Sequence, residues 1–225
     1  MMKNYLRKIS AKFLYPIFRR YQRRERRWKH GDIVVKIFPG VFHPGLFFST
    51  RFMMEYLSTL ELHHKRIHEL GAGSGFLSVY CAKAGADVTA SDINPSAVKN
   101  ITENAAINHV DITVLQSDLY MNIPLQQFDI IIINPPYYIK KPANMDERAW
   151  FCGEDAEYFR GLFSSIRPYL NDDTQVLMVL SEDCRTDIIS EIGSANGFSL
   201  NLQKTKKLIT ERNYIFRVSN KQTNA

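Results

Sequence analysis

Short β-prone runs alternate with helical stretches from residue 65 onward, and this alternation restricts the fold more than any other feature of the chain. It is the pattern of a parallel sheet whose two faces are both covered by helices. The predicted strands are 66–70, 87–91, 112–117, 128–133 and 175–181. The predicted helices are 76–84 ahead of Gly85, 95 to about 108 with Asn94 as N-cap, and about 154–170.

The end of the chain departs from this alternation. Residues 198–208 and 214–218 alternate apolar and polar side chains around a polar turn at 209–213, with no helix between them. Two such runs predict a terminal antiparallel hairpin. The expected fold class is therefore α/β, with a doubly wound, mostly parallel sheet and a terminal antiparallel hairpin.

Positive charge is concentrated at the N-terminus. The net charge of the 225 residues is +6, but residues 1–30 hold eleven Lys and Arg against Glu25 alone, which is +10 and leaves −4 for the remainder. A basic arm of this kind attracts phosphate backbones or anionic lipid head groups, and salt weakens the attraction. The alternative is a solvated helix whose charges only maintain solubility.

Apolar residues recur at every fourth position of this arm, at Tyr5, Ile9, Phe13, Ile17 and Tyr21. This spacing predicts an amphipathic helix. Pro16 divides it in two, and we expect the second piece to end near Gly31. Its apolar face is expected to pack on the body of the protein, with a membrane or a partner as the alternatives.

Residues 32–64 form a second region. Prolines and glycines separate short apolar runs over 32–50, which predicts turns and brief strands. The apolar-periodic stretch that follows predicts a helix capped by the hydroxyl of Ser49 or Thr50. We therefore expect a basic helical arm over 1–31, an entry or lid segment over 32–64, and the main domain over 65–225.

A glycine-rich turn, Glu-Leu-Gly-Ala-Gly-Ser-Gly over 69–75, joins the first predicted strand of the main domain to its first helix. The glycines let the backbone turn sharply and approach a ligand closely. A dinucleotide fingerprint would place its third glycine at position 76, which is Phe76. The observed spacing suits a ligand without a pyrophosphate, whose amino-acid and ribose parts lie against the loop. A strand-to-helix turn without a ligand is the alternative.

Two aspartates end the next two predicted strands. Asp92 comes seventeen residues after Gly75, where its carboxylate can accept hydrogen bonds from both hydroxyls of a ribose. A turn residue ahead of Asn94 is the alternative interpretation. Asp118 ends its strand at the same edge of the sheet and could accept a hydrogen bond from an adenine amino group, although Asp is also common in loops.

The apolar run 130–133 leads directly into Asn134-Pro135-Pro136-Tyr137, again where a parallel strand ends. Neither proline can donate a backbone hydrogen bond. The Asn134 side-chain oxygen and the Pro135 carbonyl can accept the two hydrogens of a planar NH₂ group, and Tyr137 can stack on that group. Such positioning can activate a weakly nucleophilic nitrogen without a strong base. A rigid turn after the strand is the alternative.

The order of these elements resembles the class I, Rossmann-like S-adenosylmethionine (AdoMet)-dependent N-methyltransferases over about residues 40–220. The resemblance implies a seven-stranded sheet in which the terminal hairpin supplies the antiparallel strand. It implies AdoMet as cofactor and S-adenosylhomocysteine as product, with cofactor contacts from Glu69, Gly71, Gly73, Gly75, Asp92, Ile93, Asp118, Leu119 and Asn134. It implies catalytic roles for Asn134, Pro135 and Tyr137.

Relatives with the NPPY tetrapeptide methylate release-factor glutamine, adenine N6 or guanine N2. Residues 153–155 are similar to the glutamine-specific branch, which has a second glycine where Cys152 stands. Residues 40–42 and 49–50 resemble the small-domain ribosomal RNA branch, which has an acidic residue where Phe48 stands. We expect methylation of RNA at adenine N6 or guanine N2. The alternatives are N5-methylation of a protein glutamine and a non-catalytic AdoMet-binding subunit.

The remaining composition restricts partners and location. No apolar run approaches the roughly 18 residues that span a bilayer, and residues 1–30 lack an apolar stretch of signal-peptide length. We therefore expect a cytoplasmic protein without membrane contact. The cysteine and histidine spacings suggest neither a disulfide framework nor a metal site. The expected partner is RNA or a ribosome-associated protein, contacted through residues 1–30 of a monomer.

Overall fold

The computed structural model describes residues 24–46, 48–207 and 212–221. The strands are β1 Arg26–His30, β2 Ile33–Ile37, β3 Arg66–Leu70, β4 Asp87–Asp92, β5 Thr113–Gln116, β6 Ile130–Ile133, β7 Gln175–Ser181, β8 Phe198–Lys207 and β9 Arg212–Asn220. The α-helices are α1 Phe48–Leu57, α2 Phe76–Lys83, α3 Pro95–Ile107, α4 Glu157–Ser165 and α5 Thr186–Ala195. Short 3₁₀ helices lie at Asp146–Ala149 and Arg167–Tyr169.

Seven strands form one mixed sheet in the order β5-β4-β3-β6-β7-β9-β8. The strands from β5 to β7 pair in parallel, and β9 is antiparallel to both β7 and β8. This is the doubly wound sheet with a terminal antiparallel hairpin that the sequence predicts, and the fold class is confirmed. The predicted turn at 209–213 falls mainly on 208–211, which lie outside the described residues.

The central strands are buried on both faces because helices cover both sides of the sheet. Along β6, Ile130 and Ile132 pack in one apolar cluster with α1, α2 and the β1–β2 hairpin. Ile131 and Ile133 pack in a second cluster, on the side of α4 and α5. The alternation of side chains along an extended strand therefore divides four consecutive isoleucines between two cores.

The helix expected to end near Gly31 is wrong over 26–30, where the chain forms β1 and pairs with β2. Arg26, Trp28 and His30 are half-buried while Arg27 and Lys29 are exposed, an alternation with the period of a strand. The Trp28 ring packs on that of Phe76 with centroids 4.8 Å apart. Tertiary packing thus determines the strand conformation of residues 26–30. The predicted arm helix before residue 24 lies outside the described residues.

Two helix starts also differ from expectation. Ser49 and Thr50 lie inside the first turn of α1 and are buried, so neither precedes the helix as the predicted hydroxyl cap. The helix expected over 154–170 is α4 followed by a 3₁₀ turn, and it begins at Glu157 because Gly153 and Ala156 have φ angles of 99° and 55°. The sequence analysis missed α5 entirely. No helix among the described residues is long and apolar enough to cross a membrane.

Candidate active site

A cavity of about 1180 Å³ opens at the carboxyl ends of β3, β4, β5 and β6. Ligands of open α/β sheets bind at this edge. All but one of the residues predicted to bind the cofactor or act on the substrate line it: Glu69, Gly71, Gly73, Asp92, Ile93, Asp118, Leu119, Asn134, Pro135 and Tyr137. The exception is Gly75.

Gly75 precedes α2 with a φ angle of 73°. A Cβ atom at this position would lie 3.0 Å from Cγ2 of Ile101 on α3. Gly75 therefore allows α2 and α3 to pack closely, and the structure places it behind the cavity wall rather than in it. Gly71, in contrast, is not packed against a neighbouring element, since a Cβ atom there would meet no other atom within 4 Å.

The Asp92 carboxylate at the end of β4 is held by two backbone amides. Gly73 N–H donates to Oδ2 and Asn94 N–H donates to Oδ1, each with a nitrogen-to-oxygen distance of 2.9 Å. Burial raises the pKa of Asp92, and these hydrogen bonds partly oppose the rise. Asp92 therefore has the features of both a turn residue and a ligand contact. Its hydrogen bonds order the turn before α3, and its side chain still lines the cavity.

Glu69 is buried beneath the glycine loop at the end of β3. Its Oε2 accepts hydrogen bonds from the backbone N–H of Ser78, at 2.8 Å, and from the Ser78 hydroxyl. Burial raises the pKa of Glu69 to about 7, against the lowering effect of the two Ser78 hydrogen bonds. This carboxyl therefore links β3 to the first turns of α2, next to the cavity.

Asp118 and Leu119 follow β5 on the far side of Asp92. The Asp118 side chain is 50% exposed, and its Oδ2 lies 3.3 Å from Nη1 of Arg148. Leu119 has a φ angle of 50°, in the left-handed region that side chains other than glycine rarely adopt. The turn after β5 thus holds an uncommon backbone conformation at the cavity wall.

The NPPY tetrapeptide leaves the fully buried β6 and enters the cavity wall. Pro135 is buried, while Asn134, Pro136 and Tyr137 are half-buried. The Tyr137 ring lies 4.8 Å from that of Tyr138. Because β6 lies next to β3 in the sheet, this tetrapeptide and the glycine loop emerge at the same edge.

Comparison with known proteins agrees with this arrangement. The family model of the methyltransferase small domain matches residues 32–157, which is more than half of the chain. The chain belongs to this family. The Rossmann-like methyltransferase resemblance is thereby confirmed.

Among curated relatives, a protein of Methanocaldococcus jannaschii named as a candidate protein N5-glutamine methyltransferase is 37% identical over 117 residues, 52% of this chain and 55% of that protein. Ribosomal RNA small subunit methyltransferase C of Buchnera aphidicola is 33% identical over 135 residues, 59% of this chain and 39% of that protein. The chain thus spans about half the length or less of these curated relatives.

A similar solved structure is the Thermus thermophilus 16S rRNA N2 G1207 methyltransferase in complex with AdoMet and guanosine. The TM-score is 0.62 at 18% identity, over 88% of this chain and 50% of that one. At this identity the likeness concerns the fold alone. The shared fold is the α/β sheet described above.

Residues 138–153, which we call the post-NPPY loop, supply much of the cavity lining that the sequence did not predict. Its two ends are joined by hydrogen bonds from Tyr138 N–H to the Trp150 carbonyl, at 3.1 Å, and from Cys152 N–H to the Tyr138 carbonyl, at 3.0 Å. The Phe42 ring packs against that of Trp150, with the ring centroids 5.5 Å apart. The loop thus reaches the segment that follows β2, and the two form one wall.

Tyr158 on α4 is another part of the cavity lining that the sequence analysis missed. It lines the cavity, and burial raises its pKa, with further contributions from the negative charges of Asp92 and Asp118. Tyr158 thus lines the same cavity as the two predicted nucleoside contacts, Asp92 and Asp118. No sequence signal indicated it, because α4 has an ordinary amphipathic pattern.

The histidines take no part in this site. His68 is buried in β3, with Nε2 lying 2.8 Å from the Ser91 hydroxyl, and burial lowers its pKa to about 3. Within the described residues, no group of three or more His, Cys, Asp or Glu side chains is placed to hold a metal ion.

Proposed function

We propose that this protein transfers a methyl group from AdoMet to a planar amino or amide nitrogen, and that its substrate is an exocyclic amino group of RNA. The observation that carries the proposal is the placement of Asn134, Pro135 and Tyr137 in one cavity with Gly71 and Asp92. Membership of the methyltransferase small domain family supports methyl transfer. The AdoMet bound by the T. thermophilus neighbour supports the cofactor.

The cavity residues fit AdoMet on two observations. A Cβ atom on Gly71 would project into open space, so the backbone there can lie directly against a ligand. Asp92 is fixed by the Gly73 amide and remains on the cavity surface, where it can accept hydrogen bonds from a ribose. Small-molecule pockets usually measure roughly 300–1,000 Å³, so about 1180 Å³ leaves room for a second ligand.

When bound, AdoMet supplies an electrophilic methyl group on a positively charged sulfur. The residues of this chain need only orient the acceptor, because sulfur would leave as a neutral thioether and the methylated nitrogen would release one proton to solvent. Asn134 and the Pro135 carbonyl accept hydrogen bonds from the acceptor NH₂, which reduces delocalisation of its lone pair, and Tyr137 packs against the planar group. Fixing the nitrogen in this way lowers the barrier mainly through orientation.

Two features of this chain favour RNA as the substrate, the positive charge of the N-terminal residues and the aromatic side chains of the cavity. Residues 1–23 contain seven Lys and Arg and no acidic residue, as suits a segment that contacts phosphates. Phe42, Tyr137 and Trp150 line the cavity and can stack on a base. Protein glutamine is the second candidate, because the M. jannaschii relative is named for that activity.

The test is in vitro methylation with AdoMet carrying a tritiated methyl group. Total RNA and soluble protein from cells lacking this gene serve as separate substrates. Label in N6-methyladenosine or N2-methylguanosine after nucleoside digestion supports the RNA proposal, and label in N5-methylglutamine supports the second candidate. Absence of label from both, with an Asn134→Ala protein as the background control, contradicts methyl transfer.

A further inference from the structure

Asn100 and Asn104 of α3 and Asn108, the residue that caps its C-terminus, lie along one side of the helix, and all three are buried. They face β2 at the edge that does not pair with β1. Asn108 pairs through its amide with the N–H and C=O of Val34, at 3.0 and 2.7 Å. Asn100 accepts from Phe38 N–H at 2.9 Å. The helix thus replaces a neighbouring strand along an otherwise unpaired edge.

The spacing explains why this works. Four residues of an α-helix rise about 6 Å and two residues of a strand rise about 6.6 Å, so asparagines at every fourth position meet outward-facing peptide groups at every second position. The edge polar groups of β2 are thereby satisfied.

Asn104 differs from the other two. Its Oδ1 accepts from Lys36 N–H at 2.8 Å and its Nδ2 donates to the Lys36 carbonyl at 2.7 Å, as the pattern requires. The same Nδ2 also donates to the Ser74 carbonyl at 2.8 Å. Ser74 belongs to the glycine loop, so one buried amide joins that loop to β2.

The two segments joined by Asn104 both lead into the cavity wall. The chain continues from β2 to Gly40, Val41 and Phe42, which line the cavity. A Cβ atom on Gly73 would lie 3.6 Å from Cβ of Phe42, so the segment after β2 lies beside the glycine loop. A displacement of β2 relative to α3 would therefore move this wall against the loop.

We propose that Asn104 is a positioning residue that holds the glycine loop and the segment after β2 in their ligand-binding arrangement. It does not line the cavity and acts through the Ser74 and Lys36 peptide groups. The proposal rests on the proposed function only in that the loop's ligand is taken to be AdoMet. Asn108 provides a matched control, because it makes the same pair of bonds to β2, while its further bond, from Nδ2 to the Asn104 carbonyl at 2.7 Å, stays within the end of the helix and does not reach the loop.

The experiment compares Asn104→Ala and Asn108→Ala in the full chain. Both should lower the midpoint of thermal unfolding, since each removes hydrogen bonds to a strand edge. AdoMet affinity by calorimetry should fall tenfold or more in Asn104→Ala and stay within about twofold in Asn108→Ala. Amide hydrogen exchange over 71–76 in the ligand-free protein should accelerate only in Asn104→Ala.

Equal AdoMet affinities and equal exchange rates in the two variants would overturn the proposal. If Asn104→Ala does not fold, Asn104→Ser and Asn108→Ser are compared instead, and failure of both Asn104 variants beside folded Asn108 variants would also overturn it, since Asn104 would then serve the fold alone. If the wild type does not bind AdoMet, the proposed function fails, and hydrogen exchange alone still decides the role of Asn104.

Discussion

Asp92 and Gly73 are joined by a 2.9 Å hydrogen bond in which the loop amide donates to the carboxylate at the end of the neighbouring strand. Gly73 has a φ angle of 56°, in the left-handed region that other residues adopt only with strain. The two elements that the sequence analysis assigned to the cofactor are therefore one hydrogen-bonded unit. Replacing either should disturb the other.

Asp92→Ala should lower AdoMet affinity by an order of magnitude or more. A pair of charge-assisted hydrogen bonds to a ribose contributes roughly 1.5–3 kcal/mol, and the Gly73 amide also loses its partner. Calorimetric titration measures the change. Asp87→Ala, at the exposed start of the same strand, is the control and should bind normally. Unchanged affinity in Asp92→Ala would mean that the ribose lies elsewhere.

Asn134→Ala should leave AdoMet affinity within about twofold and lower turnover a hundredfold or more. The amide is proposed to orient the acceptor nitrogen, so its loss affects the transition state more than cofactor binding. Single-turnover rates on the substrate identified by tritium labelling, beside calorimetry, separate the two effects. Asn201→Ala, at an exposed position of β8, should be indistinguishable from wild type. A normal rate in Asn134→Ala would remove this residue from the mechanism.

Glu69 makes stability depend on pH. Its pKa is about 7 in the folded protein against an ordinary value of 4.5, so the folded state retains a proton that the unfolded chain releases. Stability therefore falls as pH rises from about 4.5 to about 7, by roughly 3 kcal/mol for a pKa difference of this size. Glu69→Gln should remove this dependence.

The measurement is urea unfolding of wild type and Glu69→Gln at pH 5 and pH 8. The stability of the variant relative to wild type should be higher at pH 8 than at pH 5, because glutamine carries no charge that burial would desolvate. The exposed Glu191→Gln on α5 is the control and should follow wild type. Parallel pH profiles for Glu69→Gln and wild type would contradict the raised pKa.

The sequence predicted the strands and helices around the site well because local signals agreed with the tertiary fold there. β3 matches its predicted bounds, and Asn94 caps α3 by accepting from Ser96 N–H at 2.9 Å. Trp28 shows where this agreement ends. Trp28 lies in a strand because its ring packs on Phe76, which is 48 residues away in the sequence. A helical periodicity in the local sequence contains no information about such a distant contact.

Part of the lining of the candidate site could be predicted for the same reason. Gly71, Gly73, Asp92 and Asn134 lie at or just after strand ends in recognisable patterns, and the sheet brings them to one edge. Trp150 and Tyr158 reach the cavity only through the folding of the post-NPPY loop and the late start of α4. That start depends on the positive φ angles of Gly153 and Ala156.

The last prediction concerns deletion of the basic N-terminal residues. Because residues 26–30 form β1, the deletion has to end before that strand. Removing residues 1–30, which from the sequence we would expect to leave folding intact, would delete β1 and the Trp28 contact with Phe76, so this variant should be destabilised. Removing residues 1–23 leaves every described residue in place. That truncation should retain AdoMet affinity.

If the substrate is RNA, deleting residues 1–23 should weaken RNA binding and flatten its dependence on salt. The segment carries seven Lys and Arg, and for single-stranded nucleic acid the slope of log K against log salt is roughly −0.7 per phosphate contact. The slopes of full-length and truncated protein could therefore differ by up to about 5. Fluorescence anisotropy with labelled RNA over a salt series measures both slopes. A full-length variant with these seven residues replaced by Gln should behave like the truncation, because only charge is removed. Equal slopes in all three proteins would exclude a nucleic-acid role for the segment, and weak, salt-insensitive RNA binding throughout would favour a protein glutamine as the substrate.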